Sequence, residues 1–405
     1  MVREMQIDEG RLREALGKPA EHGEDLDLDE FEREPGVRAE VDEDVRRRSL
    51  EVGVDLGKAS SLTTFLQVDH EIAYRAIQKQ FQGDIELMPI QEAVEKHPWV
   101  REHLWSLVSP YADKYTAYNA LKSAGGFFLR ILEGRRLHMP IQACFLSYSP
   151  GIIQSVHNII VAEPGSEACV ITGCTMRRRD QRGLHIGVTE IFIGPGARLN
   201  YTMVHRWGPS FHVRPRTGIA LDEGAVLSYN YVLLGAVGSF QSKPSAVLKG
   251  GNAAVSMNNV IYLDGSSRMD LGGDCLIAGR GCRAELITSA VASGRAKLAV
   301  RGRVVCEADD GRGHISCRGL MLSDEAEVYA IPELVSRRMS ASLTHEAAIG
   351  RISEDQLVYL MARGFSREEA ESIIVRGFLD VSSLNLPSFL EESIKKIIDL
   401  AVKGF

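Results

Sequence analysis

A glycine-led turn followed by a short alternating strand recurs through the middle of the chain, and this recurrence constrains the fold most strongly. A representative strand after such a turn is Leu199-Asn-Tyr-Thr-Met-Val. Glycine supplies the positive φ of a tight corner, and the alternation turns one side of each strand inward. The pattern predicts stacked coils of short strands. The turns that share this plan begin at Gly165, Gly196, Gly224, Gly251, Gly281 and Gly294.

The domain boundaries are predicted from the residues at which this pattern starts and stops. Residues 125–350 show strand units without intervening helices and lack Asn-Gly hairpin turns, so we predict a right-handed parallel β-helix. An antiparallel sandwich stays open as the alternative. Residues 1–124 are predicted to form a helical N-terminal domain, and residues 351–405 a helical C-terminal domain.

The two flanks carry their own signals. Twelve acidic residues lie between Glu21 and Asp44, and few apolar residues accompany them. Residues 21–45 are therefore predicted to be a mobile or surface-laid segment, with a specific docking arm as the alternative to a solvated linker. Ile72, Ala76 and Ile77 recur at helical spacing and predict a helix there.

Capping boxes predict three helices in the C-terminal domain. They begin at Ser353, Ser366 and Ser388, each followed three residues later by Gln or Glu. The spacing leaves two roles open for these helices: covering an end of the coil stack, or docking a partner.

Composition and charge exclude several classes of protein. The net charge of −7 disfavours a nucleic-acid binder, because such proteins need a basic surface. No apolar stretch is long enough to span a membrane, and the charged N-terminus does not resemble a signal peptide, so we expect a cytoplasmic protein. The seven cysteines include no CxxC pair, and a metal site would have to combine distant segments.

One late stretch combines a thiol, histidines and carboxylates. Cys317 and Glu346 are 29 residues apart, so adjacent coils could bring them close. Thiolate, imidazole and carboxylate suit iron or zinc. From spacing alone, Cys317 could equally be a buried core residue that shares a strand face with Ile315. His345 and Glu346 are neighbours, and on a strand they point to opposite faces.

The same stretch resembles a known family. The sequence Thr344-His-Glu-Ala-Ala-Ile-Gly-Arg-Ile-Ser-Glu-Asp-Gln-Leu-Val-Tyr-Leu-Met-Ala-Arg-Gly364 is similar to the SHEA(T/A)…G(K/R)I..(E/D)QL.YL..RG signature of the SufB/SufD proteins of iron–sulfur cluster assembly. The stretch from Glu368 to Phe378 is similar to the continuation of that signature. Weaker similarity around Gly173-Cys-Thr175 and Val204-His-Arg-Trp207 extends it over residues 150–380. The resemblance implies a parallel β-helix between helical domains.

The resemblance leans towards SufB and implies roles for individual residues. Cys317 would accept sulfur and hold a nascent, transient iron–sulfur cluster with Glu346. His345 would reach the cluster from a second subunit. Cys174 would correspond to a sulfur-relay cysteine, and Lys243 to a polar position inside the β-helix.

The resemblance also implies partners. A SufC-type ATPase would dock on the C-terminal helices, and a donor would supply sulfur. No Walker A pattern occurs, so ATP hydrolysis would come from that partner and the chain would be a scaffold, not an enzyme. The N-terminal domain is short, and Arg318-Gly319 replace the family's acidic-serine pair. These departures favour a homodimer, with a SufB/SufD-type heterodimer as the alternative, and Arg318 would favour the thiolate.

Two other functions remain as alternatives. A SufD-like structural partner would use Cys317 for core packing only. A polysaccharide-active β-helix enzyme would need paired carboxylates, for which Asp180, Glu190 and Asp222 are available.

Overall fold

The computed structural model describes residues 7–31, 41–58 and 62–384, together with isolated positions between 386 and 398. It is a parallel β-solenoid of about eight turns with helices on its N- and C-terminal sides, which confirms the predicted class. Nearly all strand pairs are parallel; within the described ranges only two pairs near the start of the chain are antiparallel. A sandwich of antiparallel sheets is therefore excluded.

The regular elements are numbered in chain order. The strands are β1 (Thr63–Val68), β2 (Glu71–Ala76), β3 (Ile85–Pro89), β4 (Phe127–Ile131), β5 (Ile141–Ser147), β6 (Ile153–Ala162), β7 (Glu167–Met176), β8 (Gly183–Ile193), β9 (Arg198–Arg206), β10 (Phe211–Val213), β11 (Arg216–Leu221), β12 (Val226–Leu234), β13 (Ser239–Ser242), β14 (Ser245–Leu248), β15 (Ala254–Leu263), β16 (Arg268–Ile277), β17 (Arg283–Ala292), β18 (Lys297–Cys306), β19 (Arg312–Met321), β20 (Glu327–Ser336) and β21 (Ser342–Arg351). The α-helices are α1 (Glu9–Ala15), α2 (Glu43–Leu50), α3 (Ile90–Lys96), α4 (Val100–His103), α5 (Lys114–Lys122), α6 (Glu354–Met361) and α7 (Arg367–Phe378).

Two sheets form the walls of the solenoid. Sheet A has the order β2-β1-β5-β7-β9-β12-β15-β17-β19-β21. Sheet B contains the alternate strands and ends in β16, β18 and β20. The late coils are in strict register, with Arg283 beside Arg312 and Arg312 beside Ser342. Because the register is constant, the inward or outward face of any late residue follows from its position along the strand.

The core fills the space between the two sheets. Inward-facing side chains form one continuous apolar cluster, with Trp207, Tyr201 and Phe211 among its largest fully buried members. A second cluster lies outside sheet A, where Leu66 and Val204 pack beneath the flanking helices. The helices therefore add to the core by covering outer faces of the solenoid.

The glycine corners adopt the expected geometry with one exception. Gly165, Gly196 and Gly224 have φ between 65° and 68°. At the fourth corner the positive φ belongs to Asn252 instead of Gly251. Asparagine tolerates this conformation because its short polar side chain can bond locally.

The N-terminal domain is less helical than predicted. Ile72 and Ala76 lie in β2, which pairs with β1 at the outer edge of sheet A. The helix predicted from the spacing of these residues is wrong. Their strand is largely exposed and shows no apolar alternation that would have marked it as a strand. Helices do occur elsewhere in this domain, among them α3 and α4.

Part of the acidic segment lies against the solenoid. The Glu24 carboxylate pairs with Arg268 at 3.3 Å, the Asp25 carboxylate pairs with Lys114 at 2.8 Å, and Phe31 is buried. The described residues 21–31 thus lie on the surface of the solenoid, where arginine and lysine of the scaffold neutralise part of their charge. Residues 41–45 enter α2, and residues 32–40 lie outside the described residues.

The C-terminal helices lie on the flank of the solenoid. Val375 and Leu379 pack against Val291 and Leu320 on the outer face of sheet A. The Ser366 capping box is present, while the Ser353 side chain makes no capping hydrogen bond. The box predicted at Ser388 falls among residues that are only partly described. Helices α6 and α7 leave the last coil, formed by strands β20 and β21, exposed.

Stability depends strongly on the close approach at Gly126. Gly126 has φ +111°, and a Cβ placed there would lie 2.0 Å from the His157 carbonyl oxygen. We expect Gly126→Ala to lower the free energy of unfolding by at least about 3 kcal/mol. Gly134→Ala is the matched control, since Gly134 also has positive φ but open space around it, and should cost about 1 kcal/mol. Equal losses in urea denaturation would contradict the steric explanation.

Candidate functional site

The last coil forms an open end of the solenoid. Strands β20 and β21 pair only with the preceding strands β18 and β19 among the described residues. Large apolar side chains are exposed there, including Tyr329 at 53% and Ile331 at 43%. An unpaired, apolar sheet edge is a template for pairing with another chain. This end is a candidate association surface.

Cys317 lies one coil behind the open end and faces inward. It is 3% exposed, within the main core cluster beside Ile315 on the same strand face. Burial raises the pKa of the Cys317 thiol above its usual value, so the thiol is protonated in this conformation. A thiol must be deprotonated to hold a metal ion. In this conformation Cys317 is therefore a protonated thiol packed in the core.

Glu346 and His345 lie on the terminal strand β21. The register places Glu346 beside Ser316 and His345 beside Ile315. The Ser316 hydroxyl donates to Oε1 of Glu346 at 2.9 Å on the outer face of sheet A. His345 shares the inward face with Cys317. The predicted thiol and carboxylate thus occupy adjacent strands, but on opposite faces of the sheet.

Arg318 does not assist the thiol in this structure. Its guanidinium donates to the Ser289 hydroxyl at 2.7 Å and lies over the Phe378 ring, on the outer face. The expectation that Arg318 favours the Cys317 thiolate was wrong for this state, because consecutive residues of a strand point to opposite faces.

A buried polar cluster surrounds Cys174 inside the early coils. Cys174 on β7 is in register with His205 on β9, and burial raises its thiol pKa well above the usual value. The Tyr231 hydroxyl lies 3.1 Å from Nδ1 of His205, while Nε2 of His205 is buried without a partner among the described residues. Trp207 packs against the His205 ring. The interior beside Cys174 is therefore polar.

Sequence reasoning did not assign His205 and Tyr231 to this cluster. The spacing of 31 residues between Cys174 and His205 was the available signal, since it equals one coil at this point of the stack. The register was needed to show that both strands are adjacent.

Lys243 is not an interior residue. Its ammonium group lies 3.8 Å from the carboxylate of Asp274, an outward-facing residue of β16. The prediction that it occupies the interior is corrected: a lysine between two short strands reaches a carboxylate on the outer face at less desolvation cost.

The carboxylates considered for an enzyme do not form a pair. Glu190 is fully buried and accepts N–H groups of Trp105 and Leu107, both at 2.6 Å, and the ring of His157 at 2.8 Å. Asp180 pairs with Arg178 on the surface. Glu190 thus secures a loop, and this arrangement gives no support to a polysaccharide-active site.

The buried histidines predict a pH-dependent stability. Burial lowers the pKa of His185 to about 3, and Nδ1 of His185 donates to Gln154 at 2.9 Å. Since the unfolded chain binds this proton near pH 6.5 and the folded chain does not, stability should fall from pH 6.5 towards pH 3. The expected slope is roughly 1.4 kcal/mol per pH unit for each such histidine.

Urea denaturation at pH 7 and pH 5 measures this effect. His185→Gln should show a smaller loss between the two pH values than wild type, while His138→Gln, at an exposed position, should match wild type. Identical pH dependence in wild type and His185→Gln would contradict the assignment.

The ligand types near the open end suit soft metal chemistry, but one chain does not assemble them. No group of three His, Cys, Asp or Glu side chains converges on one point within the described parts of this chain. Likewise, no described helix is long and apolar enough to cross a membrane. Together, the parallel strands, the open terminal coil and the thiol one coil behind it define a β-solenoid protein with an exposed sheet edge at its last coil.

Comparison with known proteins identifies the family. Residues 145–378 match the family model described as "SUF system FeS cluster assembly, SufBD core domain". The chain therefore belongs to the SufBD family of iron–sulfur cluster assembly proteins.

Several relatives cover most of the chain. A SufBD family protein of Methanothermobacter thermautotrophicus is 37% identical over 97% of this chain and 98% of its own length. One from Archaeoglobus fulgidus is 38% identical over 88% of this chain and 95% of its own length. The iron–sulfur cluster assembly protein SufB of Bacillus subtilis is 24% identical over 90% of this chain and 79% of its own length.

Proposed function

We propose that this chain is a SufB-like scaffold on which a nascent iron–sulfur cluster is built between two copies. The cluster is cargo that the scaffold passes on. Cys317 and Glu346 of one copy, with His345 of the other, supply the thiolate, carboxylate and imidazole ligands. The observation that carries the proposal is the open terminal coil, with Cys317 one strand behind it.

The proposal accounts for the incomplete ligand set of one chain. A second copy paired at β20 and β21 would cover the exposed Tyr329 and Ile331 and bring a second His345 to the junction. Cys317 is buried and faces the core, whereas Glu346 lies on the outer face, so loading requires the last two coils to shift until both groups reach the same junction.

A partner ATPase is proposed to drive that shift from the C-terminal helices. Helix α7 packs on the outer face of sheet A, and α6 packs on α7. Exposed apolar side chains follow along this pair, at Val358 and Tyr359 of α6 and at Phe365 in the turn that joins the two helices. Arg318 on β19, the strand of Cys317, contacts Phe378 of α7. A movement of α7 could therefore reach the coil that holds the thiol. Cys174 and the polar interior around it are proposed to relay sulfur from a donor protein.

Docking of a SufC-type ATPase is testable by co-purification. We expect Val358→Glu to abolish retention of the ATPase on the tagged scaffold, because it places a charge in the centre of an apolar contact. Leu121→Glu is the matched control, since Leu121 is an exposed apolar residue on the helix α5. Retention of the ATPase by Val358→Glu, or loss in both variants, would reject this docking face.

Burial of Cys317 also favours a second candidate, a SufD-like partner whose cysteine only packs the core. That function requires a separate SufB-type subunit. Anaerobic reconstitution of the isolated chain with iron and sulfide distinguishes the two: a scaffold holds a cluster that depends on Cys317, and a structural partner does not.

A further inference from the structure

Three guanidinium groups converge on a single carboxylate beside the early coils. Glu51 follows α2, and its Oε2 lies 3.1 Å from Arg48, 2.8 Å from Arg179 and 3.2 Å from Arg206. Arg179 comes from the turn between β7 and β8, and Arg206 ends β9. We refer to Arg48, Arg179 and Arg206 as the arginine triad. Three separate segments thus bring positive charge to one place.

The charge of the triad is not balanced. Adjacent arginines each have their own acid: Arg177 pairs with Asp42 at 2.9 Å, and Arg178 pairs with Asp180 at 2.9 Å. Glu51 supplies one negative charge for the three positive charges of the triad. Two positive charges therefore remain without a counter-charge among the described residues around the triad.

Burial makes this imbalance costly. The triad side chains are partly buried, and burial, together with the nearby Arg206, lowers the pKa of Arg179 to about 10. Nε of Arg206 is buried without a hydrogen-bond acceptor among the described residues. A group of like charges in a medium of reduced dielectric is stabilised by an anion that accepts these N–H groups.

The donor geometry selects the kind of anion. Guanidinium groups present planar forks of N–H donors that match the oxygens of phosphate and sulfate. The Arg179 side chain is one-third exposed, so an ion from solvent can reach the triad. A dianion added to Glu51 and three arginines brings the local charge to zero.

We propose that the arginine triad binds a small dianionic oxyanion of the phosphate or sulfate type. The oxyanion is either a free ion or the phosphate group of a nucleotide. It accepts N–H groups of Arg179 and of Arg206, whose Nε lacks an acceptor among the described residues. The site is separate from Cys317 and does not depend on the scaffold function proposed above.

Isothermal titration calorimetry on the full chain tests the site, with sodium chloride used to match ionic strength. The probes are inorganic phosphate, sulfate and adenosine 5′-monophosphate. Wild type should bind phosphate, and Arg179→Gln should weaken binding at least about tenfold. Arg178→Gln is the matched control, since Arg178 is adjacent, exposed and paired with Asp180, and it should leave the affinity unchanged.

Two further variants separate the site from a folding defect. Arg179→Lys keeps the charge without the fork and should bind with intermediate affinity. Glu51→Gln removes the competing carboxylate and should bind phosphate more tightly. Tighter binding of the nucleotide than of phosphate would assign the site to a nucleotide phosphate, and the reverse would assign it to the free ion. Absence of binding by wild type, or equal weakening in Arg178→Gln and Arg179→Gln, would overturn the proposal.

Discussion

Replacing Cys317 with serine is expected to reduce the iron–sulfur cluster held after anaerobic reconstitution by at least about tenfold. A hydroxyl is a far poorer ligand for iron than a thiolate, and losing even an indirect contributor to a metal site costs 10–100-fold in affinity. Visible absorbance and bound iron and sulfide per chain measure the effect. Because Cys317 is buried in the core, a loss of cluster in the serine variant would also show that this side chain does more than fill the core.

Cys306→Ser is the matched control for this prediction. Cys306 is likewise a buried cysteine of the late coils, but its thiol donates to the Ala308 carbonyl at 3.3 Å in the turn that follows β18. It should retain the cluster at the level of wild type. Equal cluster yields in wild type and Cys317→Ser would remove this cysteine from the mechanism and would favour the SufD-like candidate.

Ile331→Lys is expected to convert a self-associated protein into monomers. Ile331 lies on the outer face of β20, the terminal strand of sheet B, and it is exposed in the single chain. If a second copy covers this edge, a lysine there must be buried without a partner charge, which weakens association at least about thirtyfold. Light scattering coupled to size-exclusion chromatography gives the mass directly.

The control for Ile331→Lys comes from the other end of the stack. Ile72→Lys changes an equally apolar, similarly exposed residue on β2, the edge strand at the start of sheet A. It should leave the mass at twice that of the monomer. A wild-type protein that is monomeric at micromolar concentration, or a dimer unaffected by Ile331→Lys, would place the association surface elsewhere.

The repeating coil could be predicted from sequence because its corners and its alternation are local features. Gly165, Gly196 and Gly224 mark turns whose positive φ is a property of the backbone at those residues. Strand β2 was missed because an exposed edge strand has no inward face and therefore shows no alternation. The packing of residues 21–31 depends on distant partners such as Arg268, which no local pattern reveals.

Only part of the geometry of the candidate site could be predicted from the sequence. Adjacent coils do bring the strand of Cys317 beside the strand of Glu346, as the spacing indicated. The side chains nevertheless point to opposite faces, because a register of 30 residues places Glu346 beside Ser316 instead of Cys317. A shift of one residue in the strand register moves a side chain to the other face of the sheet, and the sequence spacing did not determine the register. The position of Lys243 was also predicted wrongly. Its ammonium group pairs with Asp274, and the sequence alone did not show that the Asp274 side chain points outward.

Complementation between two inactive variants tests the shared cluster site most directly. Differently tagged Cys317→Ser and His345→Ala chains are co-expressed, and the mixed dimer is isolated by both tags. In one of its two junctions, intact Cys317 and Glu346 of the His345→Ala copy meet intact His345 of the Cys317→Ser copy. The account predicts that the mixed dimer holds about half the wild-type cluster while each parent dimer holds little. A mixed dimer with no more cluster than its parents would show that the ligands are not shared between copies.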